Sequence, residues 1–108
     1  MEYVFKEVKK GNDVMQMVYE SLKPDVYEIK QVYKNFITIQ LSRYLSWESM
    51  AFSIFLDRKT KEIKLTLDEY YSFSEEDDAE DVRRQFNLFK KTIRQCIKKI
   101  KTLKGATK

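Results

Sequence analysis

From Val82 to Leu103 the apolar residues Val82, Phe86, Phe89, Ile93, Cys96, Ile100 and Leu103 recur at steps of four and three. This unbroken a/d row over three heptads specifies an amphipathic helix. Ser74 can cap its start, with Asp77 three residues on as the capping partner, and Gly105 favours its stop. The helix is therefore expected from about Glu75 to Lys104, roughly 45 Å at ~1.5 Å per residue. A lone helix cannot bury its own stripe, so the rest of the chain must supply a surface for it to lie on.

That surface reads as a sheet. Tyr27, Ile29 and Tyr33 alternate over residues 26–33, and Ile37, Ile39 and Leu41 over 36–41. Met50, Phe52, Ile54 and Leu56 alternate again, as do Ile63, Leu65 and Leu67. A period of two with β-branched and aromatic residues marks half-buried strands. The polar stretch from Asp57 to Glu62 joins the last two as a hairpin, which makes them antiparallel neighbours. Residues 2–10 fit either a strand or a first helical turn. Asn12 or Asp13 can cap a short helix with the stripe Val14, Met15, Val18 and Leu22, stopped by Pro24. The expectation is one α+β domain over 1–108, with a short N-terminal helix, an antiparallel sheet of three to four strands and a long C-terminal amphipathic helix.

Apolar residues make up 43% of the 108, and seven Phe, seven Tyr and one Trp are enough to build a core. With one cysteine, Cys96, no internal disulfide can form, which points to a reducing, cytoplasmic setting. Residues 1–10 lack the apolar core of a signal peptide, and the nearly uncharged stretches 36–42 and 49–56 are far short of a membrane span, so no membrane partner is expected. Catalytic chemistry has little to work with. The chain has no histidine, the usual base for a Ser or Cys nucleophile, and two glycines offer no phosphate-cradling loop. Cys96, between Ile93 and Ile100 in the helical row, reads as a small buried hydrophobe. Asp57 with Glu62 and Lys64 resembles the Asp…Glu-x-Lys set of metal-dependent nucleases, but the acids flank a turn rather than facing each other along two strands. The expectation is no enzyme, no cofactor and no metal.

Charge is the more informative signal. From Asp68 to Asp81 there are eight acids and no base; from Val82 to Lys108 there are ten bases and no acid. Acids at a helix N-terminus and bases at its C-terminus complement the backbone dipole, which accounts for the acidic run without a metal. The bases also form a surface. Arg84, Lys91 and Lys98 share one line of the heptad, Arg94 and Lys101 flank it, and Lys90 and Lys104 are assigned to the other side. Such a stripe can follow phosphates or an acidic protein partner. Tyr33, Tyr44 and Trp47, near Lys30, Lys34 and Arg43, can stack bases. Lastly, Phe89, Ile93, Ile97, Ile100 and Leu103 form a seam of strict 3.5-residue period that suits a partner helix, in a homodimer or from another protein. No motif is specific enough to assign a family. The sequence is read as a small non-catalytic binding or regulatory protein, with a protein as first-choice partner in the manner of inhibitors carried by mobile elements, and with nucleic acid on the basic helix as the alternative.

Overall fold

The structure, a computed structural model, describes residues 1–22, 28–31, 36–44, 48–72 and 79–106, with side chains over 1–22, 38–42, 48–72 and 80–102. The elements are β1 (Glu2–Phe5), α1 (Gly11–Leu22), β2 (Glu28–Gln31), β3 (Phe36–Tyr44), β4 (Glu48–Asp57), β5 (Glu62–Ser72) and α2 (Ala79–Ala106). The strands form one antiparallel sheet in the order β1-β5-β4-β3-β2. The class is α+β, in the element order expected, but the sheet has five strands rather than three to four. The fifth is β1, four residues long, too short for its alternation to show. Its place comes from pairing with β5, where Tyr3 faces Leu65 and Phe5 faces Ile63.

Alternation decides which face of the sheet is covered. Met50, Phe52, Ile54 and Leu56 of β4 and Ile63 and Leu65 of β5 are buried, and Ile54 sits between Ile39 and Leu65 in the ladder. Both helices lie on this face. α1 contributes Val14, Met15, Val18 and Leu22, and α2 contributes Val82, Phe86, Phe89, Ile93 and Cys96, all in one core cluster. The open face carries Thr38, Gln40, Ser42, Ser49, Ser53 and Thr66, each partly or fully exposed. A bulge opposite Ala51 and Phe52 leaves Asp68 outside the ladder between Leu67 and Glu69. Asp68 shares the open face with Thr66, accepting hydrogen bonds from the Thr66 hydroxyl at 2.8 Å and from the Ser53 hydroxyl, and beyond the bulge Glu69 is exposed while Tyr70 packs on the core.

α1 begins one residue before the expected cap. Its first helical bond runs from the Val14 amide to the Lys10 carbonyl, 3.1 Å, so Asn12 and Asp13 lie inside the first turn, where the Asp13 charge suits the helix dipole. At the other end, α2 continues through Gly105 to Ala106 instead of stopping at Lys104. The expected cap Ser74 and its partner Asp77 lie outside the described residues.

Gly11 packs closely on Leu56. A Cβ there would come within 2.6 Å of Leu56 Cδ1, and Leu56 is buried. Alanine normally favours a helix over glycine by ~1 kcal/mol, but overpacking a core costs about 1–3 kcal/mol. Gly11→Ala is therefore expected to destabilise the fold by about 1–2 kcal/mol in urea unfolding. A gain in stability would mean that Leu56 moves aside freely.

Candidate functional site

The buried row of α2 is consumed within the chain. Phe89 and Ile93 are 0% exposed, and Phe89 meets Phe52 edge-on with ring centroids 4.9 Å apart. Ile97 and Ile100 are partly buried against the same core, while the Leu103 side chain lies outside the described residues. Of the expected partner-helix seam, Phe89 and Ile93 are taken up by the chain's own core and Ile97 and Ile100 are partly buried at its margin. The reason is the placement of α1. It lies against the C-terminal half of α2, with Ser21 Oγ 3.9 Å from Cys96 Sγ and Met17 in a groove with Gln95, Lys98 and Thr102. The β1–α1 connection closes the other flank against Ile97 and Ile100. The Cys96 thiol accordingly behaves as core. Desolvation pushes its pKa up, opposed by the Ser21 hydrogen bond and the nearby Lys99 charge, and a thiol held protonated is a poor nucleophile.

The outer surface of α2 is basic. Arg84, Lys91, Arg94, Lys98 and Lys101 are exposed. Arg84 pairs with Asp81 at 3.5 Å, one turn away, an exposed contact of small energetic weight. Lys91, Arg94, Lys98, Lys99 and Lys101 form no ion pair among the described residues. Tyr3 of β1 fixes the flank of this surface. Lys90 Nζ stands 4.0 Å over the Tyr3 ring; Arg94 lies 5.7 Å from the same ring and donates to the Tyr3 hydroxyl at 3.2 Å. Lys90 is therefore on the same flank as Arg94 and Lys101, not on the other side of the stripe. At ~100° per residue, Arg83, Lys90, Arg94 and Lys101 line the β1 flank and Arg84, Lys91 and Lys98 the outermost line, together about a third of the circumference. The side chain of Lys104 lies outside the described residues.

The stacking aromatics fall elsewhere. Tyr33 and Trp47 lie outside the described residues, as does the Tyr44 side chain, although Tyr44 closes β3 opposite Ser49. Tyr71, 56% exposed, was not singled out in the sequence because it stands beyond the clear alternation of β5. The same is true of Glu48, 0% exposed at the head of the inward row of β4.

The nuclease triplet has structural employment. Asp57 and Glu62 are cross-strand partners at the base of the hairpin, so they do face each other, contrary to the sequence reading. Asp57 Oδ1, however, accepts the amides of Lys59 and Thr60 at 2.9 and 3.3 Å, and Lys64 pairs with Glu2 at 3.3 Å. Among the described residues no three His, Cys, Asp or Glu side chains gather where they could hold a metal ion. Asp57 is read as a turn cap. Asp57→Ala is expected to lower stability by about 1 kcal/mol, while Asp57→Asn, which keeps the acceptor oxygen, retains it. Equal losses in urea unfolding would show that the charge rather than the acceptor holds the turn.

No protein-family model matches the chain, and no curated protein matches it. Among solved structures it is similar to the crystal structure of the vertebrate conserved region (VCR) of human METTL16, with a TM-score of 0.55 and 12% identity over 90% of this chain and 96% of that one. The likeness is one of fold. No helix among the described residues is long and apolar enough to cross a membrane.

Proposed function

We propose that this chain is a non-catalytic binding protein whose target is nucleic acid, held at its phosphates by the basic face of α2. The observation that carries this reading is the row Lys91, Arg94, Lys98 and Lys101, exposed and without ion pairs among the described residues, on a helix with no acid from Val82 onward. Unpaired cations at close spacing repel one another, and that repulsion is relieved when a polyanion binds and releases its counterions. The competing reading is a protein partner, and the inward part of the apolar seam, Phe89 and Ile93, is not available to it. In that reading the same bases capture an acidic protein surface, as an inhibitor or regulator would do. A cytoplasmic setting fits a single, buried, unpaired cysteine.

Fluorescence anisotropy with labelled single- and double-stranded oligonucleotides, titrated between ~50 and ~200 mM salt, tests the proposal. Affinity should fall linearly on log–log axes, with a slope set by the number of phosphates contacted. Absence of binding at ~50 mM salt, where such contacts are strongest, would reject it.

A further inference from the structure

The basic surface does not end with α2. The β1–α1 connection (residues 6–10) and the turn of the β4–β5 hairpin (58–61) are held together by the Val8 amide, which donates to the Lys61 carbonyl at 2.8 Å. Lys9, Lys10, Arg58 and Lys61, all exposed, line an open cleft of about 600 Å³ between these segments, with Asp13 the one carboxylate on its wall. None of the four bases forms an ion pair among the described residues. Lys9 and Lys10 also line a second cleft, of about 380 Å³, with Lys6, Ile97, Ile100 and Lys101, and with Glu7 as its one carboxylate. Lys101 belongs to the β1 flank of the α2 arc. The two loop lysines therefore join the helix surface to the hairpin, and cations that form no ion pair among the described residues follow one another from Lys91 to Arg58, with Glu7 and Asp13 the carboxylates beside them.

This path leaves the helix layer, which holds α2, for the sheet layer, which holds the hairpin. Duplex DNA is stiff, with a persistence length of ~50 nm, and presents its phosphates along a nearly straight rod. A single strand bends within a few nucleotides and can follow both layers. We propose that Lys9, Lys10, Arg58 and Lys61 form the second half of a track for single-stranded nucleic acid, continuous with the α2 arc. The proposal rests on the nucleic-acid reading of α2 and assigns a further contact surface and a strand preference to it.

The test uses the full chain and a labelled single strand of about 16 nucleotides, the upper range for single-strand binders, beside a duplex of the same sequence. Two variants separate the halves: Lys9→Gln with Arg58→Gln for the loop platform, and Lys91→Gln with Lys98→Gln for the helix. All four positions are exposed, and thermal melts should coincide with wild type. Each contact to a single strand contributes ~0.7 to the salt slope. The platform variant should thus lose about 1.4 units of slope and more than about tenfold in affinity at ~0.15 M salt on the single strand, with the duplex slope unchanged. A platform variant with wild-type slope on the single strand, beside a helix variant that loses binding, overturns the track and leaves the helix reading standing. Wild type that binds neither oligonucleotide, whether or not it binds phosphatidylserine vesicles, overturns both.

Discussion

Lys91→Glu with Lys98→Glu should abolish measurable nucleic-acid binding at ~0.15 M salt, while either single Gln substitution should only weaken it. The two lysines stand seven residues apart on the outermost line of α2, ~10.5 Å at ~1.5 Å per residue, so they meet different phosphates. Removing both deletes two contacts and lowers the duplex salt slope by about 1.8, at ~0.9 per contact. Reversing them adds two repelled charges beside the strand and cancels the formal net charge of +4 that draws a polyanion to the chain. Arg84 is a poorer choice for this experiment because Asp81 already engages it. Both lysines are exposed and form no ion pair among the described residues, so stability should change by less than about 0.5–1 kcal/mol, the range of surface substitutions and helix-dipole terms. Anisotropy gives the affinity and a urea titration the stability. Unchanged affinity in the double reversal would place the binding surface off α2 altogether.

Phe89→Ala should cost about 3–5 kcal/mol, a large share of the ~5–15 kcal/mol that holds a domain of this size together. Phe89 is fully buried and stands edge-on to Phe52 of β4. Its removal leaves a void between α2 and the sheet that neighbouring side chains fill poorly. Urea unfolding measures the loss, and light scattering at low micromolar concentration should give a monomer for wild type and variant alike. The outcome that contradicts internal packing is a wild-type dimer that the substitution splits into folded monomers. Ile97→Lys provides a second reading at the half-buried margin of the same row, where a lysine stem can reach solvent and the loss should be smaller.

The helical row and the strand alternations were legible because they are local. Every buried residue of α2 from Val82 to Cys96 is a member of the four-and-three series, and the inward residues of β4 from Met50 to Leu56 follow the period of two without exception. The hairpin was legible too, since Leu56 and Ile63 do pair. The period of the row, in contrast, did not tell which side of α2 the chain itself covers. A 3.5-residue repeat drifts from a straight helix by ~20° per heptad, and over three heptads the core absorbs that drift. A partner helix is not needed to explain it.

For the candidate site, the sequence supplied the charges and the fold supplied their neighbours. Lys91, Arg94, Lys98 and Lys101 were identifiable from spacing alone, because one helix carries them. Lys90 falls beside Arg94 and Lys101 by the ~100° step of the helix, and what lies against that flank, Tyr3, stands eighty-seven residues earlier in the chain. Lys9, Lys10, Arg58 and Lys61 look like scattered loop cations until the Val8–Lys61 hydrogen bond brings their segments together.

What the sequence determined by itself was the kind and order of the elements from α1 to α2, the covered face of α1, β4 and α2, and the separation of acids from bases along α2. Those properties depend on side chains within one or two turns of each other, and the chain cannot form the element without expressing them. The fifth strand, the bulge that shifts the alternation of β5 after Leu67, the seating of α1 over the C-terminal half of α2 and the junction of the basic surfaces were decided by tertiary structure. Each is set by pairs such as Phe5 with Ile63, Ser21 with Cys96 and Val8 with Lys61, which are distant in sequence. Such pairs leave no periodic trace, because the free energy that selects them arises when the whole sheet and both helices bury their apolar faces together.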